Sequence, residues 1–343
     1  MADFSKILTG WYLQHKRDLP WRNTTDPYLI WLSEIMLQQT RVAQGLPYYL
    51  TFVEHFPAVA DLAKADEQKV LRLWQGLGYY SRARNLHKTA RQIAFAADGI
   101  FPDNYKDLLK LKGIGDYTAA AIASFSYNEA VPVVDGNVFR VLSRYFDIET
   151  DIANPSAKKE FAALAFELMP NDNPALFNQA IMEFGALQCV PKNPDCSVCP
   201  FNDSCLALKY NKVNVLPVKS KKAKVKSRFL TYLVYEDEVG QTKIVQRTGK
   251  GIWENLYEFP VIETDREAVV SEIDASAEYG NEIISMTELV SDSVRHKLSH
   301  QHLNIRFVKM KVKGEIFGGV PILDLHTFPF PIVLHNFIQS HWK

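Results

Sequence analysis

The hydrophobic period of this 343-residue chain changes once, across a short basic stretch, and that change limits the fold more than any other feature. Residues 1–215 carry apolar side chains at helical spacing, punctuated by Gly, Pro and Asp, with little strand-like alternation. That pattern predicts an all-helical region. Asp26-Pro27 is a start signal, an N-cap followed by proline at N1, for a helix through about Gln44. Further helices are expected over 66–75, 81–97, 103–111, 116–126, 136–145, 156–168 and 174–186. From 229 to 343 the period shortens. FLTYLVYE, KIVQRT and NIRFVKMKVK alternate like strands, with a turn at Glu238-Val239-Gly240, so this part is expected to be α+β. Between them, 216–228 ends in KSKKAKVKSR, a run of like charge that reads as an exposed linker.

Charge has to be read by segment. The 39 basic and 39 acidic residues cancel, which by itself speaks weakly against a polyanionic partner. The cancellation hides a pattern: 22 basic against 23 acidic residues in 1–215, six basic and no acidic in 216–228, then 11 against 16 in 229–343. No apolar run approaches the ~18 residues needed to cross a bilayer, and the N-terminus lacks the apolar block of a signal peptide. A cytoplasmic protein without a membrane partner is expected.

All four cysteines fall within 17 residues, as Cys189-x6-Cys196-x2-Cys199-x5-Cys205. Two disulfides, a structural zinc and a [4Fe–4S] cluster are the competing readings. Disulfides do not suit a chain without an export signal. Zinc sites usually pair two short knuckles, and only 196 and 199 form one. A compact loop with three unequal gaps better suits four thiolates on an iron–sulfur cube, in a structural role, with Lys192 offering positive charge from the same loop.

Leu111-Lys112-Gly113-Ile114-Gly115-Asp116-Tyr117-Thr118 joins two helical patterns through a turn with glycines two apart. Such a turn can bring backbone N–H groups to an anion beside a helix N-terminus. Twenty residues after Gly115, Val133-Val134-Asp135-Gly136-Asn137-Val138 brings an apolar segment to an Asp and a helix start. On the helix beginning at 27, Ile30, Glu34 and Leu37 share one face, placing a carboxyl on an apolar stripe. Burial there raises a carboxyl pKa toward the range of a general acid.

This constellation resembles the helix–hairpin–helix DNA glycosylase superfamily, and the four-cysteine loop narrows it to the iron–sulfur branch. Within that branch Trp21-Arg22, Ser33-Glu34-Ile35-Met36-Leu37-Gln38-Gln39-Thr40 and Gly76-Leu77-Gly78-Tyr79-Tyr80-Ser81-Arg82 look like the MutY-type adenine DNA glycosylases, over nearly the whole chain. The resemblance implies a helix–hairpin–helix domain at about 22–132, a helical iron–sulfur domain from 1–21 and 133–215, and one [4Fe–4S] cluster on Cys189, Cys196, Cys199 and Cys205. It also implies that Glu34 protonates the flipped-out adenine and that Asp135, with Asn137 beside it, stabilises the oxocarbenium-like sugar. That division of labour parallels glycoside hydrolysis. Bifunctional relatives carry a lysine where this chain has Tyr117. A phenol forms no Schiff base, so a monofunctional hydrolase is expected, with Tyr117 positioning Glu34. By the same resemblance Trp21, Arg22 and Gln179 meet the adenine, while Gln39, Thr40, Leu77, Tyr79, Gly113 and Gly115 meet DNA. The mixed aromatic and basic run 79–88 fits duplex contact.

In the C-terminal part, Gly251-Ile252-Trp253-Glu254-Asn255-Leu256-Tyr257-Glu258-Phe259-Pro260 resembles the Trp-bearing strand and turn that opens a Nudix-like domain. The segment after it, ETDREAVVSEIDASAEYG, has an Arg-Glu but lacks the Glu-Glu pair and Gly-rich turn of a working hydrolase, so no nucleotide hydrolysis is expected. Arg295-His296-Lys297-Leu298-Ser299-His300-Gln301-His302 resembles the loop that recognises 8-oxoguanine, with Leu298 where Phe is more usual and Ser299-His300 keeping the polar part. The expected substrate is double-stranded DNA holding adenine opposite 8-oxoguanine or guanine, bound by a monomer. The alternatives are another mismatch specificity, such as thymine from G·T, or a non-catalytic iron–sulfur DNA-binding protein.

Overall fold

The computed structural model describes residues 2–220, 225–267, 282–289 and 293–342. They fall into two compact units, Met1–Lys64 with Asn85–Lys221 and Ala65–Arg84 with Lys222–Lys343. No helix among the described residues is long and apolar enough to cross a membrane.

The first unit is helical. It contains α1 (Ala2–His15), α2 (Pro27–Leu37), α3 (Val42–His55) and α4 (Val59–Lys64). After α5 (Glu67–Leu73), which belongs to the second unit, come α6 (Ser81–Ala96), α7 (Tyr105–Leu108), α8 (Asp116–Tyr127), α9 (Gly136–Phe146), α10 (Pro155–Leu168), α11 (Pro174–Leu187) and α12 (Leu206–Lys209). Asp26 caps α2 by accepting from the Tyr28 N–H at 2.8 Å. The helix then stops at Leu37, short of the expected Gln44, because Gln39 takes a left-handed φ of +57° that a right-handed helix cannot pass. Apolar spacing continues across the break into α3, which conceals it.

The core of this unit lies between α1, α9, α10 and α11, around Leu8, Phe161, Phe177, Ile181 and Phe184. Elsewhere in the unit, the buried alanines 119–121 and 123 of α8 let α2 pack closely against it. That contact brings the middle of α2 to the N-terminus of α8. Asn178 of α11 is fully buried and accepts from the Val133 N–H at 3.0 Å while donating to Ser124 and to the Val131 carbonyl, both at 2.9 Å. It thereby ties the segment that leads into Asp135 to both α8 and α11.

The second unit is built on a mixed sheet. Its strands are β1 (Lys226–Glu236), β2 (Gln241–Thr242), β3 (Val245–Gln246), β4 (Tyr257–Glu258), β5 (Val261–Thr264), β6 (Ile283–Glu288), β7 (Val294–Lys297), β8 (Gln301–Val312) and β9 (Val320–Pro321), with α13 (Ile332–His341) after them. The sheet order is β5-β1-β8-β6, with β7 also on β8, and β1 and β8 run parallel. KIVQRT pairs only at Val245–Gln246, and Trp253 sits in a turn with a left-handed φ, not in a strand. Residues 268–280 of the ETDREAVVSEIDASAEYG segment lie outside the described residues.

The linker is shorter than its charge pattern implies. Leu216 is buried, its carbonyl accepts from Arg144 at 3.1 Å, and the Val218 carbonyl accepts from the Ile152 N–H at 3.0 Å. At the other end, β1 already begins at Lys226. Lysines 221, 222 and 224 lie outside the described residues.

Candidate active site

Glu34 sits in the buried middle of α2, and the Tyr117 hydroxyl at the start of α8 donates to its carboxylate. Burial raises the Glu34 pKa to about 7. The Tyr117 hydrogen bond opposes the rise, the Asp135 charge adds to it, and Arg22 opposes it again. Asp135 is the N-cap of α9. Its Oδ1 accepts from the Asn137 and Val138 N–H groups at 2.8 Å each, and its Oδ2 accepts from Asn137 Nδ2 at 2.7 Å. Burial pushes the Asp135 pKa up, and these three donors restrain the rise by favouring the ionised form. Glu34, Tyr117, Asp135 and Asn137 line one cavity of about 410 Å³, together with Trp21, Arg22, Thr40 and Gln179.

A second layer fixes the wall opposite. Glu183 of α11 is fully buried and accepts from the Arg17 backbone N–H (3.0 Å), Nε (2.9 Å) and Nη2 (2.6 Å), and from Arg22 Nη2 (2.7 Å). Burial alone would raise its pKa, but the two guanidinium groups outweigh it and hold it at about 2. Arg22 Nη1 is buried without a hydrogen-bond partner. A charged donor in that position is matched by an acceptor on whatever fills the cavity. Tyr12 donates to Gln179 Oε1 at 2.7 Å and lies under the Arg22 guanidinium, while Trp21 packs edge-on against Tyr49.

The cysteine loop is bound to the same helix that carries Asn137. Arg140 donates to Asn137 Oδ1 at 2.8 Å, to the Gly185 carbonyl at 2.6 Å and to the Cys189 carbonyl at 2.7 Å. Arg144, one turn on, donates to the Val190 and Pro191 carbonyls and to Cys189 Sγ at 3.4 Å. None of the four cysteines is in a disulfide, and all four line one small cavity of about 30 Å³. No three Cys, His, Asp or Glu side chains gather around a single-ion position among the described residues. Four cysteines around one space fit a polynuclear cluster, in which each iron takes one thiolate.

In the hairpin, Gly113 has φ +77° and any Cβ there would lie 2.8 Å from the Asn85 side chain, so the turn requires glycine. Gly115 caps α8 with nothing within 4 Å of the Cβ position, leaving its backbone open to approach. Gln39 is exposed in its left-handed conformation, a strained geometry of the kind held at functional sites.

Leu77, Tyr79 and the 298–300 loop all belong to the second unit. Leu77 is buried, whereas Tyr79 is 42% exposed with φ +48°. The Tyr79 hydroxyl is hydrogen-bonded to the Ser299 hydroxyl, in the turn between β7 and β8, where Ser299 and His300 are exposed and Leu298 half-buried. Within the mixed aromatic and basic run 79–88, Arg82 stacks on Trp74 and Tyr79 and Arg84 pairs with Glu254 at 3.0 Å, while Lys88 is exposed.

Comparison with known proteins places these features. Residues 32–167 match the HhH-GPD superfamily of base excision DNA repair proteins, 189–205 the iron–sulfur binding domain of endonuclease III, and 231–340 the NUDIX domain. The adenine DNA glycosylase of Buchnera aphidicola subsp. Acyrthosiphon pisum is 33% identical over 92% of this chain and 89% of its own length. The chain belongs to the adenine DNA glycosylase family. The human adenine DNA glycosylase is 43% identical over 60% of this chain and 39% of its own. Among solved structures, a thermostable thymine-DNA glycosylase matches with a TM-score of 0.56 and 30% identity over 60% of this chain and 95% of its own. A trapped endonuclease III–DNA intermediate, 19% identical with a TM-score of 0.53 over 60% of this chain and 94% of its own, shares the fold.

As a member of this family the protein is a DNA-binding, adenine-specific N-glycosylase of base excision repair, with one [4Fe–4S] cluster and a Nudix-like C-terminal domain. Several residues that build its site escape the sequence reading. Asn137, Arg140 and Arg144 recur at i, i+3 and i+7 on one face of α9, and Gln179 and Glu183 stand one turn apart on α11. That spacing is the signal that marks Arg140, Arg144 and Glu183. Tyr12 on α1 and Arg17 just beyond its end carry no such signal, because they reach the site only through the tertiary fold.

Proposed function

We propose that this glycosylase removes adenine opposite 8-oxoguanine, and opposite guanine, as a monofunctional monomer acting on double-stranded DNA in the cytoplasm. The observation that carries the catalytic reading is the buried Glu34 carboxyl, raised to about 7, on a cavity wall shared with Asp135. A carboxyl half-protonated at neutral pH is matched to general acid catalysis. Glu34 protonates a ring nitrogen of the flipped adenine, so that it leaves as a neutral base, and then assists the attacking water. Asp135, whose ionised form Asn137 and the α9 N–H groups favour against burial, stabilises the oxocarbenium-like sugar or bonds to it transiently. Tyr117 holds Glu34 and supplies no amine.

Trp21 forms a wall for the adenine, Arg22 offers Nη1 to a base acceptor, and Gln179 meets the base edge with its amide oriented by Tyr12. Gln39 and Tyr79 enter the duplex, Thr40 lies beside Gln39, and Leu77 backs the Tyr79 turn. Gly113 and Gly115 receive a phosphate, and Leu298, Ser299 and His300 meet the 8-oxoguanine. Cys189, Cys196, Cys199 and Cys205 are the cluster's ligands, and bound there the cluster supplies structural closure of the loop that Arg140 and Arg144 grip. The residues divide as a catalytic region at 1–215, a connector at 216–228 and a lesion-recognition domain at 229–343.

The likeness to a thymine-DNA glycosylase favours one second reading, thymine excision from G·T. Single-turnover excision from parallel duplexes carrying 8-oxoguanine·A, G·A, A·T and G·T separates the two. Rapid loss of adenine from the first two is expected, and preferential loss of thymine from G·T would replace this reading.

A further inference from the structure

The cavity described above is not the only space that reaches the two carboxylates. A second cleft, of about 680 Å³, is lined by Glu34, Tyr117 and Asp135 and also by Gly115, Asp116 and Lys158. Helices α8 and α9 both begin in it, at Asp116 and Gly136, so two helix N-termini favour negative charge there. Among its described lining residues Lys158 is the sole cation, set against Glu34, Asp116 and Asp135.

Lys158 stands in the first turns of α10 with its ammonium 2.5 Å from an Asp116 carboxylate oxygen, and both side chains are about half exposed, at 53% and 54%. The Lys158 ammonium holds the Asp116 carboxyl below the usual carboxylate range. An ion pair this exposed stabilises little and is readily exchanged. Asp116 also accepts from the Tyr105 hydroxyl at 3.1 Å, so it keeps a partner when the lysine leaves. A nucleotide whose base occupies the Glu34 cavity must leave its flanking phosphates at the mouth.

We propose that Lys158 is a DNA-backbone contact that leaves Asp116 to pair with a phosphate flanking the flipped nucleotide, where α8 and α9 begin. The lysine then acts as a movable arm. Asp116 parks it in the free protein and competes with the phosphate for it. The inference rests on reading the Glu34 cavity as the base pocket.

Equilibrium binding to a G·A duplex carrying 2′-fluoro-2′-deoxyadenosine, which resists excision, tests this across a salt series. Lys158→Ala is expected to weaken binding several-fold and to lower the slope of log affinity against log salt by about 0.9, the value for one phosphate contact, while Lys158→Arg keeps the parent slope. Asp116→Asn is expected to tighten binding, with a smaller gain in the Lys158→Ala background. Parent affinity and slope in Lys158→Ala would overturn the assignment, as would an Arg variant that loses as much as the Ala variant. Failure of the adenine reading would appear separately, as absence of excision from an unmodified G·A duplex by the parent protein.

Discussion

The hydroxyl of Tyr117 donates to the carboxylate of Glu34 where the start of α8 meets the middle of α2. This bond favours the ionised carboxylate and opposes the rise that burial imposes. In the proposed mechanism the acid form is the reactive one, so excision is expected to fall as pH rises through about 7. Tyr117→Phe removes the restraint, so the alkaline limb of the single-turnover pH–rate profile should move upward, by about one unit for a hydrogen bond to a charged group. A downward movement would mean that the phenol does not act on the charged form.

Gly185 is the second close constraint on Asp135, acting through Asn137. A Cβ at 185 would lie 2.6 Å from Asn137 Cβ and 3.0 Å from its backbone. In an ordinary helix interior Gly→Ala stabilises by about 0.5–1 kcal/mol. Here overpacking of about 1–3 kcal/mol outweighs that gain. Gly185→Ala should lower the urea midpoint and slow excision by displacing Asn137 from Asp135. A variant with a higher midpoint and full activity would show that the contact relaxes freely.

The chemistry of this site was more legible in the sequence than its support. The apolar spacing around Glu34, the glycines of the hairpin and the cluster of cysteines are local patterns, and each names a residue together with its surroundings. Gln39 gave no warning that α2 ends there, because apolar periodicity runs on through a polar Gln-Gln-Thr break. Tyr12 and Arg17 carry no local signal, since their partners, Gln179 and Glu183, lie more than 160 residues away. Residues 65–84 read as part of a continuous helical region, yet they pack with the strand-rich unit through contacts such as Arg84–Glu254 and Asn255–Glu67. Helical period reports the local structure of a segment and says nothing about which domain buries it.

Arg144 ties two carbonyls and one thiol of the cysteine loop, and the Leu216 carbonyl beyond it, to α9. Its replacement by Ala would leave the Leu216, Val190 and Pro191 carbonyls without that donor and loosen the loop that closes on the cluster. Purified Arg144→Ala should contain less iron per chain than the parent and lose its remaining iron faster to a chelator. Equal iron content and equal resistance would show that the thiolates alone hold the loop.

No lysine is among the described residues lining the 410 Å³ Glu34 cavity, Lys158 of the adjoining cleft pairs with Asp116, and position 117 is a phenol. Borohydride added during turnover should therefore trap little protein–DNA covalent product, and alkali-free gels should show intact abasic strands. Efficient trapping would place an amine at the sugar and refute the monofunctional assignment.

The proposed mechanism requires Glu34 as the acid that protonates adenine. Glu34→Gln keeps the size of the side chain and its reach to Tyr117 but has no proton to give. Single-turnover excision from an 8-oxoguanine·A duplex, measured at protein concentrations that saturate binding, tests it directly. Binding that survives with excision reduced by at least about 100-fold is the predicted result, in line with the contribution of a positioned acid. Excision near the parent rate would contradict it.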